Sequence, residues 1–271
     1  MTPRLFVSDI DGTLVREDKS LSDAVIAAVR RLEEAGVPVS LISARPPSGI
    51  LWIAERLGLS GALGAFNGGT LVRPDGEVLS AERLAPEVAV RALELIAAPE
   101  VIVWLFHAGC WHAQRLDDHY TDRERRAANQ DPVIGTDLST LLDAVDKIVA
   151  VSPDHAALAA LEGRVAEALA GQATVIRSQP YYLDITAPRA NKGDGIAALA
   201  AAAGVTLAEV AVAGDQRNDL AMFARAGFAI AMGQAPQEVK DAAARVTASN
   251  EEDGVAQAIE TILLPMIGGA A

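Results

Sequence analysis

The sequence predicts an α/β protein: a doubly wound parallel sheet interrupted by an inserted α+β unit. Two observations predict this class. Short apolar runs alternate with helix-periodic segments at both ends of the chain, which is the pattern of parallel strands joined by helices. Between these two parts, turn signals indicate hairpins instead. The 271 residues suffice for one large domain or two small ones.

Strands and helices alternate over the first part of the chain. Residues 5–10 form a buried-strand pattern, and residues 21–35 have helical apolar spacing that ends at Gly36. Three elements follow: a strand over 37–42, a helix over 48–57 and a strand over 62–67. This β-α-β-α-β order favours a parallel sheet with right-handed crossovers.

The pattern changes after this third strand. Asp75-Gly76 lies between two apolar runs, at 69–72 and 78–79, and is a strong hairpin signal. The next predicted elements are a helix over 86–98, strands over 101–107, 110–114 and 147–152, a helix over 154–171, and strands over 173–177 and 181–186. The polar segment 121–135 is predicted to be a loop or an irregular helix. Hairpins with helices indicate an α+β insert.

The alternating pattern returns after Pro188. Its predicted elements are helices over 191–203, 218–226, 235–244 and 253–264 and strands over 210–213, 228–231 and 246–248. The prediction is therefore a core formed by residues 1–83 and 186–271, with residues 84–185 inserted between its two pieces.

Composition excludes several classes of function. A formal net charge of −13 argues against nucleic acid and anionic membranes as partners, because both require a basic surface. The single cysteine, Cys110, excludes an internal disulfide framework, and we expect it to be a small buried residue. We find neither a signal-peptide pattern nor a membrane-length apolar run. The expectation is a cytoplasmic protein, a monomer or a homodimer.

Two acids follow the first predicted strand. Asp9 and Asp11 stand where the strand breaks at Gly12, so their carboxylates can converge on one point. Buried charge is costly without a partner, and a bound Mg²⁺ would supply one because it prefers oxygen ligands. The alternative is a turn in which an aspartate caps the loop.

Cationic and hydroxyl side chains follow at other strand ends and helix starts. Ser43 and Arg45 come after the second strand and suit an anion, although, taken alone, Ser43 as a helix cap beside a solvated Arg45 is the favoured explanation. Lys192 begins a helix, where a cation opposes the helix dipole. Either a role at a functional site or simple exposure of a surface lysine to solvent explains the position of Lys192.

A second pair of acids follows a buried strand near the end of the chain. Asp215 and Asp219 flank Asn218 at the start of a helix, and helix capping is the alternative explanation. Ligand sites in open α/β sheets lie at the carboxyl ends of strands. All four clusters stand at the carboxyl end of a predicted strand or, for Lys192, at the start of a helix.

Together, these clusters resemble the haloacid dehalogenase-like superfamily and its Cof-type (subfamily IIB) phosphatases, over nearly the whole chain. The resemblance rests on the motifs Asp9-Ile10-Asp11-Gly12-Thr13-Leu14, Gly214-Asp215 with Asn218-Asp219, and Asn67-Gly68-Gly69. Ser43-Ala44-Arg45 departs from the commoner Thr-Gly-Arg but keeps the hydroxyl. The resemblance implies a Rossmann-like core with an inserted cap that selects substrates.

The resemblance also implies a mechanism, phosphomonoester hydrolysis with Mg²⁺. Asp9 is then the nucleophile that forms an aspartyl-phosphate, and Asp11 is the general acid and base. The implied metal ligands are Asp9, Asp215, the backbone carbonyl of Asp11 and, through water or by orienting other ligands, Asp219. The implied phosphate and substrate contacts are Gly12, Ser43, Arg45, Asn67, Lys192 and Asn218.

The implied substrate is a small phosphorylated metabolite, with sugar phosphates as the first expectation. Candidate cap contacts are His107, Trp111, His112, Arg115 and Tyr181, although for each of them an ordinary sheet or surface position is the favoured explanation. Two alternatives stay open: a phosphomutase or phosphotransferase acting on a phosphosugar, and a non-catalytic ligand-binding protein with this fold. Dehalogenation is disfavoured because it needs neither Asp11 nor a metal-binding set of acids.

Overall fold

The computed structural model describes residues 2–116 and 118–268. The strands are β1 (Leu5–Ser8), β2 (Val39–Leu41), β3 (Leu63–Ala65), β4 (Thr70–Val72), β5 (Val78–Ala81), β6 (Ile102–His107), β7 (Cys110–Ala113), β8 (Val133–Ile134), β9 (Val145–Val151), β10 (Thr174–Gln179), β11 (Tyr182–Thr186), β12 (Val210–Gly214), β13 (Phe228–Ala231) and β14 (Arg245–Val246). The helices are α1 (Asp23–Glu34), α2 (Pro47–Leu57), α3 (Pro86–Ile96), α4 (Asp118–Ala128), α5 (His155–Ala168), α6 (Lys192–Ala202), α7 (Leu220–Phe223), α8 (Gln237–Asp241), α9 (Gly254–Ala258) and α10 (Leu264–Gly268).

The core sheet has five parallel strands in the order β14-β13-β12-β1-β2. Strand β1 lies between β12 and β2: Leu5 pairs with Val210 of β12, and Phe6 pairs with Val39 of β2. Successive residues of β1 enter different apolar clusters, with Phe6 on one face of the sheet and Val7 on the other. Both faces are covered, which explains the continuous apolar run of this strand.

The local sequence determines where several helices begin. The side chain of Ser22 accepts a hydrogen bond from the backbone N–H of Val25 at 3.2 Å and starts α1. Asp154 accepts hydrogen bonds from two backbone N–H groups and starts α5. These two helices were therefore predictable from their caps and apolar spacing, to within a few residues.

The third predicted strand, β3, is not a regular member of the parallel core sheet. β3 forms an antiparallel sheet with β4 and β5, and one parallel bridge between Ile42 and Gly64 joins it to the edge of the core sheet. The predicted hairpin after it is present as β4 and β5.

The inserted segment forms a six-stranded sheet in the order β10-β11-β9-β6-β7-β8. One face of this sheet packs against apolar residues of α3 and α5. The opposite face carries an aromatic layer, including Trp104, Phe106 and Trp111, that is continuous with the apolar cluster of the core. We name the inserted unit the cap. Its division from the core at residues 84 and 186 stays a prediction, and residues 1 and 269–271 of the proposed core lie outside the described residues.

One expectation for the cap is only partly right, and another is wrong. Most of the segment predicted as a loop or irregular helix is α4, whose buried positions Tyr120, Thr121, Glu124 and Ala128 have helical spacing. Two of these are polar, so the buried face is not visible as an apolar stripe. Cys110 is exposed, because its side chain points away from the aromatic layer that takes the next residue, Trp111. None of the helices described is long and apolar enough to cross a bilayer.

Candidate active site

The strand order brings the predicted clusters together. Because β1 lies between β2 and β12, the carboxyl ends of the three strands are adjacent. Asp9 follows β1, Ser43 follows β2 and Asp215 follows β12. All three residues are buried and line the same cavity. Residues separated by up to 206 positions in the chain thus form one site, as parallel sheets place their sites.

Lys192 joins two of the acids. Its ammonium group donates hydrogen bonds to Oδ1 of Asp9 and, at 2.5 Å, to Oδ1 of Asp219. The lysine is 1% exposed, and its position at the first turn of α6 directs it to the strand ends. Burial opposes its charge, but the carboxylates of Asp219 and Asp9 raise the pKa of Lys192 above its usual value. The lysine predicted to oppose the helix dipole is therefore stabilised by two anions.

Asp219 is held by the protein through both carboxylate oxygens. Oδ1 accepts from Lys192, and Oδ2 accepts from the backbone N–H groups of Asp215 and Gln216, each at 2.8 Å. With its oxygens used in this way, Asp219 fixes the loop that carries Asp215. This arrangement indicates that Asp219 orients other residues of the site rather than contacting a ligand directly.

The acids also fit a divalent cation. One carboxylate oxygen from each of Asp9, Asp215 and Asp219 lies within 4.8 Å of the others, and all three residues are buried. Burial and the neighbouring carboxylates raise the pKa values of Asp9 and Asp215, which Lys192 only partly offsets. Oxygen donors in a buried, mutually repelling group match the preference of Mg²⁺.

Gly12 is required by the close packing of this group. It has a φ of 81°, in the region that favours glycine. A Cβ atom at this position would overlap the carboxylate of Asp215. Asp215 also accepts a hydrogen bond from the hydroxyl of Thr13 at 3.1 Å. The residues after Asp11 therefore determine where the carboxylate of Asp215 lies.

Asp11 is bound by two cations. Arg45 donates from Nε and Nη2 to its two oxygens at 2.7 and 2.8 Å, and Lys19 donates to Oδ1 at 2.6 Å. Burial would raise the pKa of Asp11, but Arg45 and Lys19 outweigh burial and lower it well below the usual value. Asp11 is thus an ionised carboxylate in this structure.

The loop with Ser43 and Arg45 is held from behind by the turn that follows β3. The backbone N–H of Asn67 donates to the carbonyl of Ser43 at 2.7 Å, and that of Phe66 donates to the carbonyl of Arg45 at 2.9 Å. Asn67 has a φ of 59°, which asparagine tolerates better than most residues. Its side-chain oxygen lies 3.4 Å from Nδ2 of Asn218. The structure therefore places Asn67 behind Asn218.

A cavity of about 570 Å³ opens above these residues, between the core and the cap. Of the predicted core site residues, Asp9, Asp11, Gly12, Ser43, Arg45, Asp215 and Asn218 line it, whereas Lys192, Asp219 and Asn67 lie behind its wall. The volume lies within the range of small-molecule sites. The acids occupy one end of the cavity and the cap residues the other.

The cap contributes a different set of residues from the predicted one. Of the five candidates only Tyr181 lines the cavity. Trp111 is fully buried in the aromatic layer, His107 pairs with Asp143, and Arg115 binds backbone carbonyls near Pro99. His112 lies 3.5 Å from the Thr136 hydroxyl.

Six charged residues at the cavity were missed: Glu17, Lys19, Arg123, Glu124, Lys147 and Glu251. A usable signal existed for two of them. The chain has only four lysines, and Lys147 interrupts an apolar strand that predicts burial. Lys19, Lys147 and Lys192 all lie at or beside the site, so the scarcity of lysine was informative.

A parallel core sheet with an inserted cap, and acids at the carboxyl ends of its central strands, define a class of hydrolase. A model of the haloacid dehalogenase-like hydrolase family matches residues 6–259, and the chain belongs to this family. Within it, the chain is an enzyme of the Cof-type phosphatase group.

Individual relatives agree with this assignment. The chain is 31% identical to the HMP-PP phosphatase of Cronobacter sakazakii, over 86% of this chain and 85% of that protein. It is 26% identical to a 5-amino-6-(5-phospho-D-ribitylamino)uracil phosphatase of Bacillus subtilis, over 94% of both chains. A solved haloacid dehalogenase-like hydrolase from Bacteroides thetaiotaomicron is 30% identical, with a TM-score of 0.84 over 96% of this chain and all of that one.

Proposed function

We propose that this protein is a Mg²⁺-dependent phosphatase that hydrolyses small phosphomonoesters, with sugar phosphates as the substrate class, through a phosphorylated Asp9. The observation that carries the proposal is the position of Asp9. Its carboxylate accepts a hydrogen bond from the Lys192 ammonium group, forms the acid cluster with Asp215 and Asp219, and lines the cavity. A nucleophile is needed at that point for a phosphoryl group held there.

Asp9 is the proposed nucleophile, and Lys192 keeps its attacking oxygen in place. Ser43, Asn218 and the backbone near Gly12 line the same end of the cavity and would donate hydrogen bonds to the phosphoryl oxygens. Such donors stabilise the charge that these oxygens carry in the transition state. Arg45 would approach them once its contact with Asp11 is released.

Asp11 is the proposed acid and base. Its ionised form, held by Arg45 and Lys19, is the form that accepts a proton from the water attacking the phosphorylated Asp9. The acid step needs the protonated form. A phosphoryl group that attracts Arg45 would weaken the pairing and favour proton uptake.

Asp9 and Asp215 are the proposed side-chain ligands of Mg²⁺, with the carbonyl of Asp11, while Asp219 orients Asp215. When bound, the ion supplies positive charge that offsets the repulsion between the carboxylates and an incoming phosphoryl group. The raised pKa values of Asp9 and Asp215 support a cation as the missing partner.

Small phosphorylated metabolites are supported by the size of the cavity and by the relatives. One relative is named for a substrate whose phosphate is on a ribityl chain. We propose the same kind of ester here, and a cytoplasmic monomer or homodimer as the working form.

The test is release of inorganic phosphate from p-nitrophenyl phosphate and from a panel of sugar phosphates, with Mg²⁺ and with EDTA. We expect turnover that requires Mg²⁺ and is abolished in Asp9→Asn. Full activity of Asp9→Asn would refute the proposal, and an isomerised sugar phosphate without released phosphate would show a phosphomutase instead.

A further inference from the structure

Charged side chains interrupt the aromatic layer of the cap where it faces the cavity. Lys147 points from β9 toward the core, and its ammonium group lies 4.8 Å from the centre of the Phe106 ring. It donates to the carbonyl of Ala44 at 3.0 Å. Lysine has three N–H donors, and a buried cation is costly unless its donors are used. Lys147 therefore has donors to offer a ligand in the cavity that it lines.

Two carboxylates accompany this lysine. Glu124 of α4 is 7% exposed and lines the cavity. Asp184, on the neighbouring strand β11, is 1% exposed and lies 3.9 Å from Lys147. Within the described part of the chain, the oxygens of Asp184 have no partner that meets full hydrogen-bond geometry, but the Ser178 side chain lies close enough to lower the pKa of Asp184. Burial raises the pKa values of both carboxyl groups, and Lys147 opposes the shift.

Charged cap residues of both signs line this end of the cavity. Lys147 and Arg123 are cationic and Glu124 is anionic, while the anionic Asp184 lies beside Lys147 but does not line the cavity. A second phosphate on the ligand would lie near Glu124, and an apolar group would leave Glu124 and the remaining donors of Lys147 without partners. A hydroxyl group both donates and accepts, so it can bind Glu124 and Lys147 together.

We infer that Glu124 and Lys147 are specificity-determining residues, which bind hydroxyl groups of a neutral, polyhydroxylated leaving group and disfavour a second anion. The inference rests on the proposed function. The hydroxyl of Ser178, the amide of Gln179 and the phenol of Tyr181 line the same end and add uncharged partners. The contact of Lys147 with Ala44 ties this subsite to the loop of Ser43 and Arg45, at the phosphate end.

The experiment compares three substrates in the wild type, Glu124→Gln and Lys147→Met, with Mg²⁺. Sorbitol 6-phosphate is the neutral polyol ester, p-nitrophenyl phosphate lacks hydroxyl groups on its leaving group, and fructose 1,6-bisphosphate carries a second anion. Glu94→Gln, on an exposed position of α3, and Lys240→Met, on α8, are matched controls outside the cavity.

We expect each cavity variant to lower kcat/KM for sorbitol 6-phosphate by about 10- to 100-fold, the effect of losing a hydrogen bond to a charged group. For Glu124→Gln the value for p-nitrophenyl phosphate should change by less than about threefold, because that leaving group makes no such bond. Lys147→Met also loses the contact with Ala44, so its loss on sorbitol 6-phosphate should exceed its loss on p-nitrophenyl phosphate by about tenfold or more. Glu124→Gln should also reduce the preference for sorbitol 6-phosphate over the bisphosphate. Equal losses on all substrates, no loss, or a wild-type preference for the bisphosphate would overturn the inference.

Two further measurements distinguish a failure of this inference from a misfolded variant and from a failure of the proposed function. If Glu124→Gln does not fold by circular dichroism, Lys147→Met and Ser178→Ala are judged by the same criteria. If the wild type releases phosphate from no ester, the proposed function fails. In that case, calorimetry measures the affinity of sorbitol 6-phosphate for Asp9→Asn and for Asp9→Asn combined with Glu124→Gln. A loss of affinity of about tenfold or more in the double variant supports the subsite, and equal affinities refute it.

Discussion

The guanidinium group of Arg45 binds both carboxylate oxygens of Asp11, from Nε at 2.7 Å and from Nη2 at 2.8 Å. Its remaining nitrogen, Nη1, donates to the carbonyl of Gly49 at the start of α2. The arginine side chain is 2% exposed. This two-point contact holds the proposed acid and base in one orientation and in its ionised form, which a single-point cation cannot do equally well.

Arg45→Lys should therefore disturb turnover through Asp11. We expect kcat/KM for p-nitrophenyl phosphate to fall by roughly 10- to 100-fold, the cost of about 1.5–3 kcal/mol for a charge-assisted contact. The pKa of Asp11 should rise toward its usual value because its strongest cationic partner is weakened. The acidic limb of the kcat–pH profile should then move to higher pH.

The matched control is Arg4→Lys, which changes an exposed pair with Glu209 at the opposite end of the sheet. It should leave the profile unchanged. An unshifted acidic limb in Arg45→Lys, with normal kcat, would show that Arg45 does not act through Asp11.

Lys192→Met should affect stability as well as turnover. The lysine stands between two buried carboxylates, and its removal leaves Asp9 and Asp219 without a cation. Breaking a buried pair in this way costs roughly 3–5 kcal/mol. We expect that loss in the free energy of unfolding by urea at neutral pH in EDTA, together with loss of phosphatase activity.

From the sequence alone, loss of Lys192 is expected to damage turnover more than folding. The structure adds the second effect, because the side chain is buried rather than presented to substrate. Lys240→Met is the control for substitution of lysine itself. An unchanged free energy of unfolding in Lys192→Met would contradict the pairing seen here.

The stability of the metal-free protein should fall as pH rises. Burial and neighbouring carboxylates raise the folded-state pKa values of Asp9 and Asp215 above their unfolded value near 3.8. For such groups the folded state binds more protons, so stability is greatest below the unfolded pKa and decreases until pH passes the folded pKa. Asp11 does not oppose this above pH 5, because its pKa is lowered.

In EDTA, the Tm should therefore be lower at pH 8.5 than at pH 5.5, by about 2–4 °C for each kcal/mol lost. Mg²⁺ should raise Tm more at pH 8.5, because it competes with protons for the same carboxylates. Asp215→Asn should weaken both effects. A Tm that is independent of Mg²⁺ at both pH values would argue against a metal bound by these acids.

The core site was predictable because its residues are marked locally. Asp9, Ser43 and Asp215 each follow an apolar strand, and a parallel sheet brings such ends together whatever lies between them. Their pairing was not predictable. That Lys192 binds Asp9 and Asp219, or that Arg45 binds Asp11, depends on side-chain positions across the sheet.

The cavity end formed by the cap was largely missed, for a physical reason. Glu124 belongs to a helix whose buried face is partly polar, so apolar spacing did not reveal α4. His107 and Arg115 are polar residues in strands or turns, and the sequence favours them as ligand contacts as much as it favours Lys147. In the structure they lie outside the cavity. Which face of a strand meets the site depends on how the cap packs on the core.

The sequence by itself determined the α/β class, the inserted cap and the acids at the strand ends, because strand burial, helix caps and turn residues act over short distances. Only the tertiary structure decided which cations meet which acids, that Asn67 lies behind Asn218, and that Lys147 and Glu124 face the cavity. These relationships arise from packing between segments far apart in the chain, which the local pattern of residues does not predict.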